Sequence, residues 1–179
     1  MKHLINFVLT CLLTSFAVAQ EDWPRWRGPD LSDHSPDKGL LKKWPDEGPK
    51  QVWLYKDAGI GYSGPAISNS KFITMGERDG AIHVIAIDTK NGKEIWNTKF
   101  AKGFKNNWGN GPRGTPTIDE DKVYALAPKG ELICLNIKDG SKVWNTDLVK
   151  NFGGKAPYWG FSESVLVHGN NVVVTPGGG

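Results

Sequence analysis

Ala86-Ile87-Asp88-Thr89-Lys90-Asn91-Gly92-Lys93-Glu94-Ile95-Trp96-Asn97-Thr98 returns, without a gap, as Cys134-Leu135-Asn136-Ile137-Lys138-Asp139-Gly140-Ser141-Lys142-Val143-Trp144-Asn145-Thr146. The offset is 48 residues throughout. Working outward, Pro65-Ala66-Ile67 pairs with Pro116-Thr117-Ile118, and Lys71-Phe72-Ile73 with Lys122-Val123-Tyr124. A third copy begins at Val165-Leu166-Val167 and continues into Asn171-Val172-Val173. The first complete unit reads as four short strands near 65–68, 71–76, 82–87 and 94–97, each marked by apolar alternation, β-branched residues and flanking turn signals. Asn91-Gly92 and Asp139-Gly140 separate the third and fourth strands. These dipeptides predict type I′ turns, in which both central residues take positive φ. No stretch after residue 20 shows helical periodicity bounded by caps, so the fold class is all-β.

A four-stranded unit of this length repeated in tandem is the blade of a β-propeller. One such sheet is apolar on both faces and buries them only by stacking on its neighbours. The expected organisation is an irregular polar segment over 20–50 and a partial propeller over 51–179. Within it lie an orphan outer strand at 51–55, around Val52-Trp53, blades at 65–98 and 115–146, and the start of a third at 164–179. Closure needs four to eight blades, so about two and a half blades of a longer ring are expected here. Trp96 and Trp144 close each unit on its outermost strand, a place that suits docking across the blade-to-blade seam. Burial of 150–250 Å² per tryptophan contributes roughly 4–6 kcal/mol as an upper estimate. On this reading Trp144→Ala lowers the melting temperature of the full-length protein more than Trp23→Ala does.

The first residues have the layout of a secretory signal: basic Lys2, an apolar stretch from Leu4 to Val18, and small-x-small Ala17-Val18-Ala19 before Gln20. Cleavage after Ala19 and a periplasmic or secreted location are expected, with no membrane span after cleavage. Cys134 is then the one remaining cysteine, which excludes an internal disulfide and a CxxC site. Twenty-two lysines and arginines against nineteen acids give +3, without the concentrated basic stripe of a nucleic-acid binder. No histidine pair has metal-ligand spacing, so no metal site is predicted. Gly59-Ile60-Gly61-Tyr62-Ser63-Gly64 and Gly109-Asn110-Gly111-Pro112-Arg113-Gly114 fit G-x-G-x-x-G. A dinucleotide site needs a helix next, whereas proline and a strand follow both, so they read as inter-blade connections. Asp88 and Asn136 are expected to brace their turns, and Cys134, in the slot of Ala86, to be a small core residue.

On these residues the chain resembles the pyrroloquinoline-quinone (PQQ) repeat family, whose repeat has the form A-x-D-x-x-T-G-x-x-x-W. Ala86, Asp88, Gly92 and Trp96 match it, with Asn91 in place of threonine. The second copy keeps Gly140 and Trp144 but has Cys134, Asn136 and Asp139 at the other places. Asp22-Trp23-Pro24-Arg25-Trp26-Arg27-Gly28-Pro29 resembles the start of exported PQQ-like repeat proteins of planctomycete and verrucomicrobial type. The resemblance implies an eight-bladed ring and one of two functions. Quinoprotein dehydrogenases hold PQQ and calcium on the propeller axis and oxidise alcohols or sugars; BamB-like members have no cofactor and act as assembly scaffolds. The adjacent cysteine pair common in the dehydrogenases has no counterpart here, and catalytic residues are not assigned.

The connections between blades are the candidate ligand site. Lys99–Arg113 offers Lys102, Phe104, Lys105, Trp108 and Arg113; its successor offers Lys150, Phe152, Lys155, Tyr158 and Trp159. Cations beside aromatic faces suit an anionic planar ligand such as a quinone carboxylate, a sugar, or another protein. The residues singled out are Trp108, Arg113, Tyr158 and Trp159. The alternative is that Trp108 and Trp159 plug the mouth of the propeller while the lysines are solvated.

Overall fold

The computed structural model describes residues 22–178, so the signal sequence and its cleavage site lie outside the described residues. Strands β1 (Ala66–Ser68), β2 (Lys71–Arg78), β3 (Ala81–Asp88) and β4 (Glu94–Lys102) form one antiparallel sheet in the order β1-β2-β3-β4. Strands β5 (Thr117–Asp119), β6 (Lys122–Leu126), β7 (Glu131–Asn136) and β8 (Lys142–Asp147) repeat that order in a second sheet. A third unit begins with the pair β9 (Leu166–His168) and β10 (Asn171–Val173). The repeated meander of four-stranded sheets is the expected propeller architecture.

The middle strands explain why the sheets stack. Met75 and Ile73 on β2, and Val84, Ile85, Ala86 and Ile87 on β3, are all buried, so this sheet is covered on both faces. Ala66, Ile73, Val84, Ala86 and Trp96 pack with Ile118, Val123, Ile133 and Leu135 of the second sheet. Leu126, Leu132, Phe161 and Val165 form the next core layer, toward the third unit. Cys134 is free and buried within this packing.

The seam is built from tryptophan and glycine together. Trp96 is 8% exposed; its Nε1–H donates to the Ile137 carbonyl at 3.0 Å. Its ring covers Gly140, which takes φ +70° and has no space for a side chain. Thr98 Oγ1 donates to the Gly140 carbonyl at 2.7 Å. Trp53 repeats the motif one unit earlier, with its Nε1–H on the Thr89 carbonyl at 2.8 Å and its ring against Gly92. Trp144 packs on Tyr124 at 6.0 Å between ring centres.

Two sequence expectations change, the form of the hairpin turns and the absence of any helix. Residues 51–55 run extended and dock on the first sheet through Trp53 and Tyr55. The turns at Asn91-Gly92 and Asp139-Gly140 are not type I′, since only the glycine of each has positive φ. They are longer loops in which Gly92 N–H donates to the Asp88 carbonyl and Gly140 N–H to that of Asn136, both at 2.9 Å. The Asp88 carboxylate accepts from the Lys90 and Asn91 amides, and Asn136 Nδ2 donates to Ser141 Oγ. Tight two-residue turns occur instead at Asn69-Ser70 and Asp79-Gly80, both residues of each having positive φ. A one-turn helix, α1 (Leu148–Phe152), follows β8, capped by the Asp147 carboxylate on the Val149 and Lys150 amides and by left-handed Gly153. One turn is too short to leave a periodic signal. Within the irregular N-terminal segment, Trp23 and Pro24 dock on the inner strands.

A polar cluster ties the 51–58 segment to the first sheet. Arg78 donates to Tyr55 Oη at 2.6 Å and to Glu94 at 3.0 Å, while Tyr55 and Asn97 also donate to Glu94. Burial alone would raise the Glu94 carboxyl, but the three donors outweigh it and hold it below its ordinary value. Burial, then the Glu94 contact, pushes the Tyr55 hydroxyl up to about 12. A carboxyl depressed on folding contributes stability above its unfolded pKa and loses it as pH falls through the folded value. Urea unfolding between pH 7 and 3 should therefore show a decline that Glu94→Gln makes shallower.

Candidate functional site

The loops that return from a fourth strand to the next first strand gather on one rim. Gly103 N–H donates to the Gly80 carbonyl at 2.7 Å, and the Phe104 amide donates to the carboxylate of buried Glu77 at 2.9 Å. Ile60 pairs with Glu77, and Tyr62 N–H donates to the Pro112 carbonyl at 2.7 Å. In the next repeat, Phe161 N–H donates to the Pro128 carbonyl at 2.9 Å. Asn106 joins the two connections: its Oδ1 accepts from the Trp108 amide at 2.8 Å and its Nδ2 donates to the Tyr158 carbonyl at 2.7 Å. The rim is thus held by backbone bonds to the sheets.

On this frame the aromatic residues stand outward. Trp108 is 74% exposed, Tyr158 63% and Trp159 56%; Tyr158 and Trp159 meet edge to face at 5.9 Å. Gly109, after Trp108, lies against the Tyr62 ring. Tyr62 is exposed too and joins the same surface. A cleft of about 760 Å³ opens beside Tyr158, bordered by Lys155, Phe161, Glu163 and Thr175. No acid occurs from Gly103 to Ile118 or from Leu148 to Ser162, whereas Lys105, Arg113, Lys150 and Lys155 do.

Arg113 is placed differently from its three companions. Its guanidinium donates to the Gly111 and Gly109 carbonyls at 2.9 and 2.8 Å and lies over the Phe104 and Tyr62 rings at 5.0 and 5.5 Å. Its donors face its own loop, so it shapes the surface that Trp108 presents. Tyr62, Glu77 and Asn106 were missed by sequence reasoning. Tyr62 stands just before the first strand of its blade, as the loops bearing Arg113 and Ser162 do, and aligning all three connections would have found it. The other two act through contacts 27 and 52 residues away in sequence, for which spacing gives no signal.

The metal and quinone implied by the resemblance can be tested on these residues. Among the described residues no three His, Cys, Asp or Glu side chains converge to hold a metal ion. Arg113, the cation singled out for a quinone carboxylate, donates to the carbonyls of its own loop. No helix among the described residues is long and apolar enough to cross a membrane.

Stacked four-stranded sheets, seams of tryptophan on glycine and an aromatic rim define a propeller of the PQQ-repeat class. Residues 44–179 match the family described as "Outer membrane protein assembly factor BamB", and the chain belongs to that family. Among solved structures it is similar to BamB from Moraxella catarrhalis, with 22% identity over 65% of this chain and 30% of that one, TM-score 0.44. It is also similar to a europium-containing methanol dehydrogenase, with 17% identity over 69% of this chain and 22% of that one, TM-score 0.49. The quinohemoprotein alcohol dehydrogenase from Comamonas testosteroni is matched at 22% identity over 64% of this chain and 16% of that one, TM-score 0.47. The chain spans under a third of the length of each. No curated protein matches it.

Proposed function

We propose that this chain is part of a non-catalytic binding scaffold acting outside the cytoplasm, and that its contact surface is the rim bearing Tyr62, Trp108, Tyr158 and Trp159. The observation that carries the proposal is the outward exposure of these rings on loops tied down by backbone hydrogen bonds. Rigid, exposed Trp and Tyr beside cations are the residues that dominate protein–protein contact energy. The family description points to an outer-membrane protein as partner, and the absence of acids from both loops suits a partner surface of negative charge.

The test is titration of the chain with an unfolded outer-membrane β-barrel polypeptide diluted from denaturant. Trp108→Ala with Trp159→Ala should weaken binding at least tenfold, at about 2 kcal/mol for a hot-spot pair. The melting temperature should stay within about 2 °C, since exposed positions contribute little to stability. Unchanged affinity in the double variant would remove the rim from the proposal. An oligosaccharide that binds where the polypeptide does not would replace the protein partner. A quinoprotein dehydrogenase would instead reduce dye with PQQ, calcium and an alcohol or sugar.

A further inference from the structure

The free edges of the innermost strands are occupied by the chain's own N-terminal segment. Strands β1, β5 and β9 lie side by side as the first strands of successive sheets. Each pairs with a neighbour on one side only, so its other edge presents unpaired amides and carbonyls toward the propeller axis. Trp23 N–H donates to the Ile67 carbonyl and Ile67 N–H to the Trp23 carbonyl, both at 2.8 Å. One residue further on, the Pro24 carbonyl accepts from Ile118 N–H at 2.7 Å. Consecutive residues therefore bond the inner edges of two successive blades, which a segment can do only by crossing the inner strands.

Side chains reinforce the crossing. Ser68 Oγ donates to the Asp22 carboxylate at 2.6 Å, and Arg25 pairs with Asp119 at 3.6 Å. Arg25, Trp26 and Leu31 face Ser164, Val165 and Leu166 of the third unit across a small pocket. The segment then folds back on itself. Gly28, at φ +84°, packs against the Trp23 ring with no space for a side chain, and Arg27 Nε donates to Asp33 at 2.8 Å.

We propose that residues 22–33 are an axial clasp, which fastens the inner edges of successive blades and closes the axial side of these repeats to a ligand. This goes beyond the binding scaffold and is independent of it, because the rim residues take no part in the clasp. On the inner edges, Ile67 and Ile118 are already bonded, by Trp23 and Pro24.

Amide hydrogen exchange on the full chain, and on the chain lacking residues 22–33, tests the proposal. Deletion should speed exchange at Ile67 and Ile118 a hundredfold or more, while Ile85, inside the ladder between β2 and β4, changes less than threefold. A synthetic peptide of residues 22–33 added to the deleted chain should restore the protection. Should the deleted chain fail to fold, the intact chain still decides. The amides of Trp23, Ile67 and Ile118 should then exchange at rates within threefold of one another when corrected for sequence, as a single opening unit. Equilibrium dialysis with PQQ and calcium should show no stoichiometric uptake by the intact chain. Unchanged protection on deletion, independent exchange of the three amides, or stoichiometric PQQ on the intact chain would each overturn the clasp.

Discussion

Trp96→Ala should destabilise the chain by about 3–5 kcal/mol, the range for truncating a buried tryptophan. At 150–250 residues this lowers the melting temperature on the order of 10 °C. The reason is the place of the ring, on the outer strand of one sheet but buried against the hairpin of the next, over a glycine that admits it. The substitution opens the seam and leaves the Ile137 carbonyl without its donor. Trp96→Phe should recover most of the loss, with about 1 kcal/mol remaining for the missing hydrogen bond. Differential scanning calorimetry on the two Trp96 variants checks the series, and a loss for Trp96→Ala within about 0.5 kcal/mol, the range of a surface substitution, would remove the seam as the cause.

Gly76→Ala should be nearly as damaging, at about 3 kcal/mol, although it adds a single methyl group to a strand. Gly76 lies on β2 with the Ala58 carbonyl oxygen where a Cβ would project. The 56–60 segment would have to retreat, breaking the paired Ile60–Glu77 bonds at 3.1 and 2.8 Å. Two hydrogen bonds at about 1 kcal/mol each, with overpacking of about 1 kcal/mol, give that sum. The damage should spread to the rim, because Glu77 also holds the Phe104 amide and Tyr62 follows Ile60 by two residues. Gly80→Ala is the control: its φ is +71° with nothing within 4 Å, so only left-handed strain of about 1 kcal/mol applies. Urea unfolding of both variants separates close approach from backbone strain, and an equal midpoint shift for the two would refute the steric account.

The architecture was legible because a repeat prints itself on the sequence. A period of 48 residues with strand-length apolar runs leaves few folds open, and the seam position of Trp96 followed from its place at the end of each copy. The rim was legible in part. Trp108, Tyr158 and Trp159 stood out as large rings in loops, and they are exposed on one surface. Arg113 stood out equally, yet its donors face its own loop carbonyls. Residue type announces a charge, while direction depends on where the backbone turns. The loops after Asp88 and Asn136 show the same limit: Asn-Gly and Asp-Gly favour a tight turn, but a side chain accepting from the loop amides stabilises a longer one.

What the sequence determined by itself is the repeated four-stranded sheet and the family to which it belongs, because both rest on local pattern and period. Only the tertiary structure decided which tryptophans are sealed, which ring faces outward, and that Trp23 and Pro24 lie on Ile67 and Ile118. Those pairings join residues 44 and 94 positions apart through backbone groups that every residue carries. Backbone hydrogen bonding leaves no signature in residue identity, so it becomes visible only when the edges that need partners have been brought together.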